Sequence, residues 1–453
     1  MKNILTDKLT GLKEIKQAAA YHEQQQACVL TGLSGSNKSV FLSALDKACG
    51  GSGSLALFLA TREEMRAYRR ELNYLYPDLP MQELYPVDLP RVQAETQSLE
   101  LQAGRTAALR FLKGEEKGIV FITAEAWQQK QFSPGSIDDK QILVKVGEIC
   151  EQQELVKQLI EYGYERTDQV DALGQFCLRG DIMDIYPINS SRPVRIEWFD
   201  DEIDAVRSFE LESQRSLQSF DEVKIVPLKV SEATDCTASL FDYCSKDTLI
   251  IIDEPVKTFS MLEKLDKENK NYAEDLFSCQ QLVELCGEHA AVLVSALAHS
   301  YLRELPSINI PVRGVAPYNK NIAMLQEDLH GWLSDGITPV IMLSSSIKAR
   351  GFADNLVNYG LQAVYAENAV QSGCVNVMFG ELDHGFRFWD EDWLLLTESD
   401  IFGMQKRKRL HSKNQGKQLE YFSDIKAGDY VVHKVHGIGR YIGVENVAVD
   451  GVH

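Results

Sequence analysis

The residues best suited to chemistry lie in a glycine-rich loop at 32–39 (GLSGSNKS), between a short apolar run and a helical pattern. A loop of the form GxxxxGK[ST] in this position binds phosphates with its backbone N–H groups. Its Lys contacts the outer phosphates and its Ser or Thr holds Mg²⁺. An Asn replaces the last Gly, which adds a conformational cost and a side chain that would crowd a phosphate. The sequence therefore predicts a degenerate nucleotide loop, made of Gly32, Gly35, Asn37, Lys38 and Ser39.

A pair of carboxylates, Asp253 and Glu254, follows the apolar run 250–252. A nucleotide-hydrolysing motor uses an acid at the end of a buried strand to hold Mg²⁺, and it also needs an arginine finger. Pro255 comes next, and acids at strand ends are common, so a vestigial acid pair and an ordinary strand end both stay open. We recognise no arginine finger after residue 260. We therefore expect no catalytic residue and no cofactor in this chain.

The charge balance bears on nucleic-acid binding. The chain has 453 residues and a net charge of −19, from 47 basic and 66 acidic residues. Because Lys and Arg drive binding to a phosphate backbone, the chain as a whole is not expected to hold nucleic acid tightly. The basic stretch 406–417 is a local exception. A solvated linker and a functional basic patch are both open for it.

Cysteine usage and hydropathy indicate a cytoplasmic protein. The nine cysteines form no CxxC pair, which argues against a zinc site and a disulfide framework, so no metal site is expected. No apolar run reaches the roughly 18 residues of a membrane span. Residues 1–20 lack the apolar core of a signal peptide. We expect reduced thiols, a cytoplasmic location and no membrane partner.

Apolar runs alternate with helical patterns in the first part of the chain, which predicts a parallel sheet. The predicted strands are 27–31, 55–59 and 119–123. A helix is predicted at 38–48, a capping box at 61–64 and a helix cap at Thr123. The pattern resumes at 248–252, so an insertion is expected near 140–228. A further α/β unit begins near Thr338, and Gly360 is expected to end its helix.

The inserted segment predicts a small sheet with two different faces. In the run 194–198, Val194, Ile196 and Trp198 point to one face, while Arg195 and Glu197 point to the other. The apolar face suits a core. The charged face is either solvated or used for binding, and the pattern alone leaves both open.

Fixed blocks in this segment occur in a recognisable order. They are 164–166 (YER), 174–176 (GQF), 179–181 (RGD), 184–187 (DIYP) and 199–204 (FDDEID). The segment resembles domain 2 of the repair protein UvrB and, more closely, the equivalent domain of the bacterial transcription-repair coupling factors, the Mfd family. The resemblance implies docking onto UvrA through a surface made of Arg166, Phe176, Arg179, Arg195 and Glu197. Cys177 departs from the family, which often has Arg there, so one contact differs.

The first unit is similar to the UvrB-like module of the same family, which is thought to have lost nucleotide chemistry. UvrB carries an intact loop and an aromatic-rich DNA hairpin, whereas residues 84–110 contain Tyr85 but no aromatic cluster. This departure favours the coupling factors. The alternative is a UvrB-like nucleotide-dependent repair helicase. Residues 384–386 and 397–403 also resemble the third domain of the coupling factors, without assignable chemistry.

The pattern at 428–443 predicts a strand, a Gly-bounded turn and a return strand. It resembles the CarD-like RNA polymerase interaction domain of the family. The resemblance implies contact with the RNA polymerase β subunit, with Arg440 as an exposed contact. We expect only the opening hairpin of a small β-barrel within 426–453, and weak polymerase binding or none.

The predicted fold class is α/β: a discontinuous, degenerate RecA-like parallel sheet with an inserted small α+β domain, a second small α/β domain and the start of a small β-barrel. The resemblance implies a recruitment and regulatory portion of a family whose motor uses ATP and Mg²⁺ to move on double-stranded DNA. That motor releases stalled RNA polymerase and couples it to excision repair. The predicted units are 1–139, 140–228 (inserted), 229–335 (resumed first domain), 336–403 (second α/β), 404–425 (basic linker) and 426–453 (barrel start).

Overall fold

The computed structural model describes residues 4–87, 99–135, 141–228, 236–299, 304–367, 369–389, 391–403, 430–433 and 437–440. Its helices are α1 (Ile4–Leu9), α2 (Lys13–Glu23), α3 (Ser36–Ala48), α4 (Arg62–Leu75), α5 (Leu99–Lys113), α6 (Ala124–Gln128), α7 (Gln152–Glu161), α8 (Pro255–Glu268), α9 (Cys279–Glu288), α10 (Ile322–Ser334), α11 (Ser346–Asn358) and α12 (Glu398–Phe402). Short 3₁₀ turns lie at Phe241–Tyr243 and Lys270–Asp275.

The strands before the chain returns to its first sheet are β1 (Cys28–Thr31), β2 (Leu55–Leu59), β3 (Met81–Leu84), β4 (Ile119–Thr123), β5 (Gln131–Phe132), β6 (Ile142–Lys145), β7 (Glu165–Arg166), β8 (Gln175–Arg179), β9 (Ile182–Ile185), β10 (Val194–Phe199), β11 (Glu202–Phe209), β12 (Ser216–Phe220), β13 (Glu222–Ile225) and β14 (Cys236–Ala238). The later strands are β15 (Leu249–Asp253), β16 (Val292–Ser295), β17 (Ser307–Asn309), β18 (Val312–Gly314), β19 (Thr338–Leu343), β20 (Ala363–Tyr365), β21 (Val375–Phe379), β22 (Phe386–Phe388), β23 (Trp393–Thr397), β24 (Tyr430–His433) and β25 (Gly437–Arg440).

The first sheet has the strand order β17-β1-β16-β15-β2-β4-β3, with parallel neighbours throughout. Its inner strands, such as β2 and β4, are short apolar runs whose residues are buried on both faces, because helices cover each side. The predicted parallel sheet is confirmed. Strands from before and after the insertion share this sheet, so its chain is discontinuous.

Local signals at two helix starts had different outcomes. The predicted capping box at Thr61 is present: its hydroxyl accepts from the Glu64 N–H, and the Glu64 carboxylate accepts from the Thr61 N–H. The predicted cap at Thr123 is wrong. Thr123 precedes α6, but its hydroxyl has no hydrogen-bond partner among the described residues. The cap prediction rested on the position of Thr123 before the helix, and that position does not determine the direction in which its buried hydroxyl points.

The second sheet, in the insertion, has the order β12-β11-β10-β9-β8-β7. Helix α7 and the β6–β13 ribbon cover its inner face, and Leu155 and Leu159 pack there beside Ile196. Residues of β10 alternate between buried and less buried, so the predicted division into an apolar and a charged face is confirmed.

The third sheet has the order β18-β22-β23-β19-β21-β20 and packs with α10 and α11 around Leu325, Leu329 and Leu356. The chain enters this sheet at β18, before the boundary predicted at 335, which stays a prediction. No sequence pattern marks this strand, because β18 is only three residues long and includes Arg313 and Gly314. The other domain boundaries stay predictions.

The chain forms two compact units, Met1–Gln405 and Lys406–His453. In the second unit, β24 and β25 pair antiparallel, from Tyr430 opposite Arg440 to His433 opposite Gly437. This pairing agrees with the predicted strand and return strand. The linker predicted at 404–425 lies outside the described residues. Across the described part of the chain, no helix has the length and apolar character needed to span a membrane.

Candidate functional site

The glycine-rich loop joins β1 to α3, as the sequence indicates, and two of its glycines are needed there. Gly32 has a φ of +93°, and a Cβ atom at this position would lie 2.5 Å from the backbone oxygen of Ile310. Gly35 has a φ of +60° and precedes the first turn of α3. The loop geometry therefore depends on Gly at both positions.

Asn37 lies inside α3, is buried, and does not adopt a left-handed conformation. Its Oδ1 accepts a hydrogen bond of 2.7 Å from the backbone N–H of Ser34. The residue that departs from the phosphate-loop pattern thus folds back on the loop. It occupies a backbone donor that a phosphate would need.

Lys38 is paired with both predicted acids. Its Nζ donates to Asp253 Oδ1 and to Glu254 Oε1, each at 2.7 Å. Tyr68 donates its hydroxyl to the same Asp253 oxygen at 2.9 Å. The predicted residues Lys38, Asp253 and Glu254 thus lie in one cluster, in which only Glu254 is partly exposed, although α3 and β15 are far apart in the chain.

Glu254 adopts a left-handed conformation with φ of +40°, and Pro255 begins α8 directly after it. A left-handed non-glycine residue costs conformational energy that its surroundings must offset. The backbone N–H of Ala296 donates to Glu254 Oε1 at 3.1 Å, beside the bond from Lys38. The strained turn therefore aims the carboxylate at the lysine.

Burial shapes the protonation of this cluster. Burial disfavours the charged ammonium of Lys38, but Asp253 and Glu254 outweigh it, so the pKa of Lys38 is raised. Burial raises the pKa of Asp253, against the lowering effect of Lys38 and Tyr68. The pairing keeps the lysine protonated inside the protein.

A further acid, Glu71 on α4, was missed by the sequence predictions. Its carboxylate accepts hydrogen bonds from the hydroxyls of Ser36 and Ser39, the latter at 2.5 Å. Glu71 is buried, and burial raises its pKa despite the two serine hydroxyls. One signal was available: Glu71 follows Tyr68 by three positions and precedes Leu72, so it lies on the apolar stripe of α4.

Residues 383–384, which connect β21 to β22 of the third sheet, contact the same serine of the loop. The backbone N–H groups of Asp383 and His384 donate to the Ser36 hydroxyl oxygen at 3.1 and 2.9 Å. Arg70, the neighbour of Glu71 on α4, pairs with the Asp383 carboxylate. A Cβ atom on Gly35 would lie 3.5 Å from His384 Cδ2. The loop is therefore covered as well as internally paired.

The charged face of the second sheet is built around Asp184 on β9. Arg195 on β10 binds this carboxylate with two parallel bonds, Nε to Oδ1 at 2.6 Å and Nη2 to Oδ2 at 2.9 Å. The Arg195 guanidinium also lies 4.8 Å above the ring of Phe209. Arg179 approaches Asp184 at 3.5 Å, but its side chain is 57% exposed. Asp184 thus holds one arginine tightly and a second one loosely.

The other predicted surface residues differ in position. Glu197 accepts from Arg207 Nη1 at 2.9 Å on the same face, and Arg166 is exposed on the edge strand β7. The prediction of Phe176 as a surface residue is corrected, because its side chain is fully buried in the core beneath the sheet. Positions 176 and 179 are an odd number apart on β8, so the two side chains point to opposite faces. Arg440 ends β25 in the other unit.

Comparison with known proteins gives two family matches. Residues 142–230 match the UvrB interaction domain, and residues 425–453 match the CarD-like/TRCF RID domain. The first match covers the strands of the second sheet from β7 to β12. The second covers the β24–β25 hairpin.

Curated relatives agree with these matches. The transcription-repair-coupling factor of Bacillus subtilis (strain 168) is 28% identical over 513 residues, covering 95% of this chain and 43% of that protein. That of Staphylococcus haemolyticus (strain JCSC1435) is 25% identical, covering 100% of this chain and 45% of that protein. This chain therefore spans a little under half the length of these relatives. A solved DEAD box protein from Methanococcus jannaschii is similar at a TM-score of only 0.28 and 10% identity, covering 84% of this chain and 78% of that one. The two family matches and these relatives thus agree: the chain is similar to transcription-repair-coupling factors along 95% or more of its length.

Proposed function

We propose that this chain recruits UvrA through the charged face of its second sheet, as the recruitment and regulatory portion of a cytoplasmic transcription-coupled repair protein. One observation carries the proposal: the match to the UvrB interaction domain falls on a sheet whose outer face presents the exposed Arg179 beside a fixed Asp184–Arg195 pair. An exposed arginine beside a fixed carboxylate is partly ordered before binding, which suits it as an anchor of an interface.

The structure divides the anchors by role. Arg179 is exposed on the charged face and can reach an acidic partner. Arg166 is also exposed, but it pairs with Phe176, so its side chain points to the opposite face of the sheet. The Arg195 side chain is only 19% exposed, so its part is to fix Asp184 and the rim of the surface. Reversing the charge of Arg195 would place two carboxylates together and disturb the sheet itself. Arg179 is therefore the better probe of the partner surface.

The experiment is UvrA affinity measured for the variant Arg179→Glu. We expect a loss of about 1–3 kcal/mol, because an exposed anchor becomes repulsive toward an acidic surface. Arg66→Glu, on the exposed side of α4, is the matched control and should leave affinity unchanged. Thermal unfolding of both variants checks the fold. Wild-type affinity in a folded Arg179→Glu variant would contradict the proposal.

We further propose that the β24–β25 hairpin contributes to contact with the RNA polymerase β subunit. The match of residues 425–453 to the CarD-like/TRCF RID domain supports this. Binding of the β subunit is expected to be weak and to fall by about 1 kcal/mol in Arg440→Glu. Equal binding by Arg440→Glu and wild type would remove Arg440 from the contact.

We propose no ATP hydrolysis at the degenerate loop. In the family, as the resemblance implies, ATP and Mg²⁺ serve a separate motor that moves on double-stranded DNA. The alternative, a nucleotide-dependent repair helicase, needs phosphates beside Ser39 and Lys38. Glu71 and the pair Asp253–Glu254 already occupy these two side chains, which supports a recruitment role over a motor role.

A further inference from the structure

Glu71 makes hydrogen bonds of the kind that a bound phosphate would make. In a working phosphate loop, an anion accepts hydrogen bonds from the first turn of the following helix and from its Ser or Thr side chain. In this chain the anion is a carboxylate of α4, which accepts from Ser36 and Ser39 on α3. Helix α3 is 13 residues long, so its N-terminal end favours a negative charge.

The Ser36 hydroxyl joins this anion to the third sheet. Its hydrogen goes to Glu71, and its oxygen accepts from the backbone N–H groups of Asp383 and His384. The Asp383 N–H also lies 3.3 Å from Glu71 Oε1. Arg70 adds an ion pair with Asp383 from the same helix. The anion position and the contact between the first and third sheets thus share one hydroxyl group.

We propose that Glu71 is an internal substitute for phosphate that locks the first sheet to the third sheet. With the carboxylate in place, the loop is filled and residues 383–384 are held on Ser36. Without it, Ser36 and Ser39 lose their common acceptor, and the contact with residues 383–384 loosens. An external phosphate and the Glu71 carboxylate therefore compete for one position. This device is independent of the UvrA-binding surface on the second sheet.

The test is amide hydrogen exchange at Asp383 and His384 in the full chain. Glu71→Ala is compared with wild type and with Glu63→Ala, an exposed acid on the same helix. We expect exchange at both amides to be about tenfold faster or more in Glu71→Ala. Amides of β10, in the second sheet, serve as the reference for global unfolding and should not change.

The claim that phosphate and the Glu71 carboxylate compete for one position is tested by adding inorganic phosphate. Sodium chloride at equal ionic strength is the control. Phosphate should restore protection at residues 383–384 in Glu71→Ala, while chloride should not, and neither should affect wild type. If Glu71→Ala does not fold, Glu71→Gln retains the shape without the charge and should show the same selective recovery with phosphate. Unchanged exchange in the folded variant would overturn the lock. Equal effects of phosphate and chloride would overturn the phosphate position.

Discussion

The loop of the first sheet and the charged face of the second sheet use similar residues in opposite ways. In the loop, Lys38 lies between Asp253 and Glu254 and is almost completely buried. On the second sheet, Asp184 is buried, but Arg179 beside it is mostly exposed. The loop pairs its charges with one another under a cover, whereas the sheet face leaves part of its charge open to a partner.

This difference shows that a motif can be present in the sequence while its side chains are not accessible to a ligand or partner. A buried ion pair contributes little net stability compared with apolar packing, but removal of one member leaves an uncompensated charge. An exposed arginine contributes little to stability and can contribute several kcal/mol to an interface. The loop should therefore respond to mutation through stability, and the sheet face through affinity.

The largest expected effect is the loss of stability in Lys38→Ala. Two adjacent buried or half-buried carboxylates would then face each other without a cation, which should cost about 3–5 kcal/mol. Arg350→Ala is the control, because the Arg350–Glu367 pair is exposed on both sides and should cost about 0–1 kcal/mol. Denaturant unfolding gives both values. Equal losses in the two variants would erase the contrast.

A smaller effect is expected on the sheet face from Asp184→Ala. Arg195 would lose both of its carboxylate bonds while remaining over Phe209, at a cost of about 1–3 kcal/mol. UvrA affinity should also fall, because Arg179 and Arg195 are no longer held in register. Glu197→Ala is the matched control, since the Glu197–Arg207 pair is more exposed and should cost about 0–1 kcal/mol. A greater loss of stability in Glu197→Ala would reverse this ranking.

Periodicity and strand-to-helix order predicted the parallel sheet and the division of β10 into two faces, because those features depend on neighbouring residues. The same period-two rule places Phe176 and Arg179 on opposite faces of the sheet. The prediction of both residues on one surface came from the resemblance and not from this rule. The sequence pattern could place Glu71 on the buried stripe of α4, but it could not predict the contact of Glu71 with Ser36. Asp383, 312 residues beyond Glu71, could not be placed there at all, because only the packing of the third sheet on the first brings them together.

The smallest expected effect concerns Asn37→Gly, which restores the phosphate-loop pattern in the sequence. The substitution removes the bond from Ser34 N–H to Asn37 Oδ1 and puts Gly inside α3, so about 1–2 kcal/mol of stability should be lost. ATP binding should stay undetectable by calorimetry, and no ATPase should appear with or without DNA. The reason is that Glu71 still holds Ser36 and Ser39, and the acid pair still holds Lys38. ATP binding by Asn37→Gly alone would show that Asn37, and not Glu71, closes the loop. Binding that appears only when Glu71→Ala is added would assign the closure to the carboxylate.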